Sequence, residues 1–277
     1  MDSYDADADR TSHRARSPSD GSAATDRLRR GWAAAVAAGI VALVGGASAL
    51  AVAGPPGTGL RWLVGAGALL GAEAALLWRA LGDNRTSAGG PLLPTLGLAN
   101  ALTLVRGLAL SGVAGFLLLP PPSGALAWIP GLLYGTAVLL DQLDGRVARG
   151  RGRTTLLGVR LDTAFDTVGL LVAPVLAVRY GQLPVWYLAV SAARYVFLAG
   201  LFLRRRRGRP IAPLPERPVR RVLAGVQMAV VSLALLPVLG PPTTTVLATA
   251  AMLPFLAQFA RDWSAVTSPE ATGSTPR

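Results

Sequence analysis

Eight apolar blocks, at roughly 32–53, 61–81, 98–119, 124–143, 155–178, 184–203, 219–239 and 243–260, dominate this chain. Each approaches or exceeds the ~20 residues that an α-helix needs to cross a bilayer. At that depth no water is present to satisfy backbone N–H and C=O groups, so blocks of this kind must fold as internally hydrogen-bonded helices. The sequence therefore predicts an all-α, polytopic transmembrane helical bundle. Pro/Gly clusters at Gly54-Pro55-Pro56-Gly57, Pro120-Pro121-Pro122 and Gly240-Pro241-Pro242 mark short turns, and hence antiparallel hairpins. Residues 1–30 and 263–277 carry few large apolar side chains and are expected to be disordered tails. A cleaved signal peptide is the rival reading of the first block; a charged leader of 30 residues and seven later spans argue against it.

Charge placement supplies an orientation. The formal charge of +12 comes entirely from arginine, 27 of them, with no lysine. If the N-terminus is cytoplasmic, 22 arginines lie on the cytoplasmic side, Arg61 and Arg179 lie outside, and Arg106, Arg160 and Arg194 fall within spans. That asymmetry predicts both termini in the cytoplasm of a multi-pass protein of the cell membrane. Because the arginines sit between spans rather than on a soluble basic face, nucleic acid is not an expected partner; membrane lipids are.

Composition also narrows the chemistry. Cysteine is absent, and the single histidine, His13, lies in the polar N-terminal segment. Disulfides, thiolate nucleophiles, a Ser/His/Asp triad, a histidine-ligated zinc and a lysine Schiff base are excluded together. What remains is carboxylate, arginine and a hard, oxygen-loving cation.

The carboxylates are conspicuous. Asp141, Asp144, Asp162 and Asp166 sit inside an otherwise apolar stretch, where each ionised side chain costs roughly 2.5–3.5 kcal/mol at a span's centre. Asp141 and Asp144 are three apart and share a helix face; Asp162 and Asp166 are four apart and share another. A short reversal between the two blocks would bring the pairs together. Four oxygen donors from two facing helices suit one or two divalent ions such as Mg²⁺ or Mn²⁺. Beside them Gly145 would let a base or phosphate approach the backbone, Arg149 can fork onto phosphate, and Gly158 thins the facing helix. The bland alternative is that the aspartates pair with arginines to hold helices together, or relay protons in an ion-coupled transporter.

The eight positions Asp141, Asp144, Gly145, Ala148, Arg149, Gly158, Asp162 and Asp166 fit one pattern, Asp-x2-Asp-Gly-x2-Ala-Arg-x8-Gly-x3-Asp-x3-Asp. This segment resembles the signature of the CDP-alcohol phosphatidyltransferase family. Upstream, Asn100-Ala101-Leu102-Thr103-Leu104-Val105-Arg106 is similar to the Pro-Asn-x-Leu-Thr-x-x-Arg start of that family's first core helix, with Ala99 in place of the proline. The resemblance implies a six-helix catalytic membrane domain at 98–262, preceded at 31–97 by two extra transmembrane helices and a linker. It implies that an acceptor hydroxyl attacks the phosphorus next to the lipid alcohol of a CDP-alcohol and CMP leaves. It assigns Asp141, Asp144, Asp162 and Asp166 to a metal pair, Mg²⁺ or Mn²⁺, with Asp166 also the base. Gly145, Ala148, Arg149 and Gly158, with Asn100 and Thr103, would border the CDP moiety, and a homodimer is expected.

The motif does not specify the acceptor. Arg194, near the middle of the sixth block, and Arg204, in a run of arginines, are candidates for binding an anionic acceptor such as glycerol 3-phosphate or an inositol phosphate. Arg194 could instead neutralise the aspartates structurally, and the run from Arg204 could simply anchor the chain on the positive side. Arg106 and Arg160 are placed to snorkel from span ends, with a role in the site as the lesser reading for either, and Glu73 is expected to pair with an arginine or to turn towards a helix interface, without chemistry. CDP-diacylglycerol is the favoured donor. Transfer of a small head group from its CDP derivative to diacylglycerol is the alternative within the enzyme class.

Overall fold

The structure, a computed structural model, describes residues 18–151, 154–214 and 217–267, with the side chains of 18–21 and 144–151 outside that description. Among the described residues there is no strand. The long helices are α1 (Pro18–Ala53), α2 (Thr58–Ala80), α3 (Gly97–Gly115), α4 (Ile129–Arg151), α5 (Leu156–Arg179), α6 (Leu188–Arg206), α7 (Val219–Leu235) and α8 (Pro241–Thr267). Among the described residues seven segments are long and apolar enough to cross a membrane, matching all but one of the eight blocks.

The exception is α7, 17 residues long. The apolar block runs on to 239, but Leu236 takes an extended conformation (φ −87°, ψ 142°) ahead of Pro237. A proline disfavours helical geometry at the residue before it, so the helix stops there.

Parts of both segments expected as tails are helical. Helix α1 begins at Pro18, well inside the stretch 1–30, and α8 runs through 263 to Thr267; 1–17 and 268–277 lie outside the described residues. Few large side chains are needed for this extension, because two apolar ones are well placed. Ala24 and Leu28 are buried, and Leu28 joins the main core. One turn on, Trp32 donates from Nε1 to the Ala74 carbonyl at 2.9 Å and meets Trp78 edge-on at 4.9 Å, fastening α1 to α2.

The two N-terminal helices are packed into the bundle. Trp62 of α2 is 5% exposed and donates from Nε1 to the Gly112 carbonyl of α3 at 3.0 Å. The close approach depends on Gly115, where a Cβ would lie 2.6 Å from the Trp62 ring. Glu73 lies at this same interface, as expected: it is buried, and its Oε2 accepts from Ser111 Oγ at 3.2 Å. Helix α3 is thereby the most enclosed of the seven. It touches α2 on one side and α4 and α5 on the other, which places the carboxylates of the last two around it.

Candidate metal and phosphotransfer site

Three helices converge on one point. Asp141 projects from α4, Asp162 and Asp166 from α5, and one carboxylate oxygen from each lies within 4.8 Å of the other two. The i, i+4 spacing of Asp162 and Asp166 puts them on one face of α5, as the sequence predicts. The centre is half-buried: side-chain exposures are 20% for Asp141, 48% for Asp162 and 33% for Asp166. Asp144, Gly145, Ala148 and Arg149 fall on the last turns of α4, whose side chains lie outside the described residues.

Arg106, for which the sequence makes a site role the lesser reading, holds the carboxylates together. Rather than snorkelling, its side chain is 3% exposed and reaches all three carboxylates. Nη1 bonds Asp141 and lies 3.4 Å from Asp166; Nη2 bonds Asp162 Oδ1 at 2.8 Å and the Asp162 carbonyl at 3.2 Å. A planar fork with donors on both terminal nitrogens suits this bridging, which an ammonium could not reproduce. The signal was present in the sequence, because Arg106 closes the Asn100-to-Arg106 motif on α3.

An unanticipated residue is Tyr134. It lies two turns before Asp141 on α4, is 2% exposed, and its hydroxyl has no hydrogen-bond partner among the described residues. With Leu110, Val138, Phe165 and Met228 it lines a small cavity that Arg106, Asp141 and Asp166 close at one end. A tyrosine in an apolar block carries no signal of its own; only the register with Asp141 could have pointed to it.

Gly158, Asn100 and Thr103 are brought together at the start of α5 and α3. The space that Gly158 leaves is taken by Asn100, whose Oδ1 lies 2.7 Å from where a Cβ would stand. Asn100 donates from Nδ2 towards Thr155 Oγ1 at 3.3 Å, and Thr155 caps α5 by accepting the Gly158 N–H at 3.0 Å. Thr103, also buried, donates back to the Ala99 carbonyl at 3.0 Å.

The two acceptor candidates differ. Arg194 is half-buried near enough to Asp166 for the charges to interact, yet it makes no ion pair among the described residues, and its buried Nε has no partner. Arg106, and not Arg194, bridges the aspartates among the described residues. Arg204 is engaged by its own linker, donating from Nη2 to the Pro210 carbonyl at 3.0 Å. Arg160 pairs with Asp83 at 2.8 Å instead of entering the centre.

The donor set fits a divalent ion. Opposite ligands of an octahedral ion bound at ~2.1 Å stand about 4.2 Å apart, a little less than the 4.8 Å within which these oxygens lie, so a small inward shift of the side chains would let them share one ion, and two ions could be bridged without it. A bundle of apolar helices around a cluster of hard oxygen donors defines the class: a multi-pass, integral membrane protein with a candidate metal centre. The particular kind follows from comparison, since the family model for CDP-alcohol phosphatidyltransferase matches residues 96–263, more than half of the chain, and the chain belongs to that family. It is therefore a phosphotransferase of phospholipid biosynthesis that acts on a CDP-alcohol, in a family that uses divalent metals. The match begins at the linker before α3 and leaves α1 and α2 outside. No curated protein and no solved structure matches the chain.

Proposed function

We propose that this enzyme transfers the phosphatidyl group of CDP-diacylglycerol to the hydroxyl of a polar, anionic acceptor such as glycerol 3-phosphate or an inositol phosphate. The observation that carries the reading is the convergence of Asp141, Asp162 and Asp166 within 4.8 Å on the family's signature. Asp166 removes the proton of the acceptor hydroxyl as its oxygen bonds to the phosphorus beside the lipid alcohol; the bond from that phosphorus to the bridging oxygen breaks, and CMP leaves. Asp141, Asp144, Asp162 and Asp166 would hold one or two Mg²⁺ or Mn²⁺ ions, which when bound neutralise the diphosphate and the leaving group. Arg106 orients the carboxylates. Gly145, Ala148, Arg149 and Gly158, with Asn100 and Thr103, border the CDP moiety.

Arg194 is the favoured acceptor-phosphate ligand because a half-buried guanidinium without an ion pair among the described residues retains its binding capacity. Arg204 would act at the rim. The arginine-rich segments support a site that opens to the cytoplasm, with both termini on that side and α7 still crossing at the short end of the spanning range. A homodimer is the expected assembly.

The test is CMP release by purified protein in detergent with Mg²⁺ or Mn²⁺, supplying CDP-diacylglycerol with a panel of acceptors, beside CDP-linked head groups with diacylglycerol. Release that depends on CDP-diacylglycerol and an anionic acceptor supports the reading. Reaction only with a head-group nucleotide would reverse donor and acceptor, and failure of every CDP-alcohol would remove the mechanism.

A further inference from the structure

Three consecutive residues of the α2–α3 linker, Asp83, Asn84 and Arg85, grip the first turn of α5. The Asp83 carboxylate pairs with Arg160 at 2.8 Å, and the Arg85 carbonyl accepts the Leu156 N–H at 2.8 Å. Between them Asn84 is fully buried. Its Nδ2 donates to the Leu93 and Thr95 carbonyls at 2.9 and 2.8 Å, and its own carbonyl accepts the Leu93 N–H at 2.8 Å. Its Oδ1 accepts from Asn100 Nδ2 at 3.4 Å, and Asn100 in turn reaches Thr155, the N-cap of α5. A polar side chain buried this completely is retained only when every group is paired. Here the pairing runs from the linker through α3 to the start of α5.

That location matters because Asp162 and Asp166 follow two and six residues after Arg160, the last gripped residue, on the same helix. Six residues of helix from Leu156 to Asp162 rise about 9 Å, so a tilt of ~10° at the first turn would move Asp162 by roughly 1.5 Å. Displacements of that size are enough to cost a catalytic centre about 100-fold. The linker lies before the segment that the family model matches, so the grip is contributed by the N-terminal addition and not by the family core.

We propose that Asn84, with its neighbours Asp83 and Arg85, is a positioning residue: the N-terminal helices and their linker set the pitch of α5 and thereby aim Asp162 and Asp166 at the metal centre. This rests on the reading of that centre given above, but one readout does not. The natural chain has no cysteine, so Cys pairs at exposed Val105 of α3 and Val159 of α5 can carry spin labels for distance measurement. Asn84→Leu, which keeps the branched shape of the side chain and removes the amide, is expected to broaden or shift the α3–α5 distance distribution. It is also expected to raise the half-saturating Mn²⁺ concentration, read by electron paramagnetic resonance, and to lower kcat for CMP release, each by about 10- to 100-fold, the range for lost outer-shell support. Asn84→Asp, which keeps the acceptor for Asn100, should fall between Asn84→Leu and the natural chain.

A folded Asn84→Leu variant with an unchanged distance distribution and unchanged Mn²⁺ requirement overturns the proposal, whatever its melting temperature. If Asn84→Leu does not fold, Asp83→Ala decides the question, since it removes only the exposed ion pair to Arg160: a several-fold rise in the Mn²⁺ requirement supports the grip, and no change refutes it. A natural chain that releases no CMP from any CDP-alcohol while Asn84→Leu still perturbs the distance distribution would sink the functional reading and leave the positioning role standing.

Discussion

Arg106 of α3 and Asp162 of α5 are joined by two contacts, Nη2 to Oδ1 at 2.8 Å and Nη2 to the Asp162 carbonyl at 3.2 Å, so one guanidinium fixes both the side chain and the backbone of the same aspartate. The other terminal nitrogen serves Asp141 and Asp166. Removing this group leaves three carboxylates facing one another. Arg106→Ala should cost about 1–3 kcal/mol, less than a fully buried network because the aspartates are partly open to solvent. Mn²⁺ should raise the melting temperature of Arg106→Ala by more than that of the natural chain, because the guanidinium no longer competes for the carboxylates and ligand binding stabilises the fold by mass action. A smaller shift in the variant would show that Arg106 helps to hold the ion instead.

Asp166→Asn keeps the volume of the side chain but removes its capacity to accept a proton. Loss of a general base lowers rates by about 10²–10⁴-fold, and CMP release should fall by that factor at saturating substrate. Undiminished kcat would exclude Asp166 as the base.

Arg194→Gln should raise KM for an anionic acceptor by roughly 10- to 100-fold, the loss of one charge-assisted hydrogen bond of about 1.5–3 kcal/mol, while KM for the CDP-alcohol stays within about two-fold. Steady-state kinetics with each substrate varied in turn distinguishes the two. Parallel rises in both constants would instead mean that Arg194 organises the whole site.

Two helical glycines should respond oppositely to alanine. At Gly107 of α3 a Cβ would stand 2.7 Å from the Phe165 ring and 2.9 Å from Glu73 Oε2, so Gly107→Ala must push α3 away from α5 and α2. Overpacking of this kind costs about 1–3 kcal/mol, and here it should also lower activity because Arg106 is the adjacent residue. Gly135 of α4 has open space around it; Gly135→Ala should be neutral or stabilising by up to ~1 kcal/mol through helix propensity. Thermal melts in detergent measure both.

Away from the centre, Arg220 of α7 clasps Asp262 of α8 through Nε and Nη2 at 2.6 and 2.7 Å, and Gln258 adds a third donor at 2.7 Å. This is the helix-pairing role that the bland reading offered for the signature aspartates, found at a different aspartate. Asp262→Ala should destabilise the protein by about 2–3 kcal/mol, since it strands a partly buried guanidinium, and should leave the Mn²⁺ requirement unchanged. A shifted requirement would tie the α7–α8 pair to catalysis.

Residue order alone determined the all-helical membrane architecture, because apolar length and backbone hydrogen bonding in lipid leave no other solution. It also grouped the aspartates: spacing of three and four fixes a helix face locally, and the glycine, alanine and arginine between them complete a signature that needs no tertiary information. The tertiary structure decided what lies opposite those faces. Arg106 sits 35 positions before Asp141 and 56 before Asp162, and Asp83 lies 77 before Arg160. No periodicity spans such separations, so nothing in the order of residues says that α3 packs against both α4 and α5, that Tyr134 lines the cavity beside them, or that a linker outside the family domain takes hold of α5. Those pairings follow from how the helices pack, and packing decides which of many arginines reaches the carboxylates.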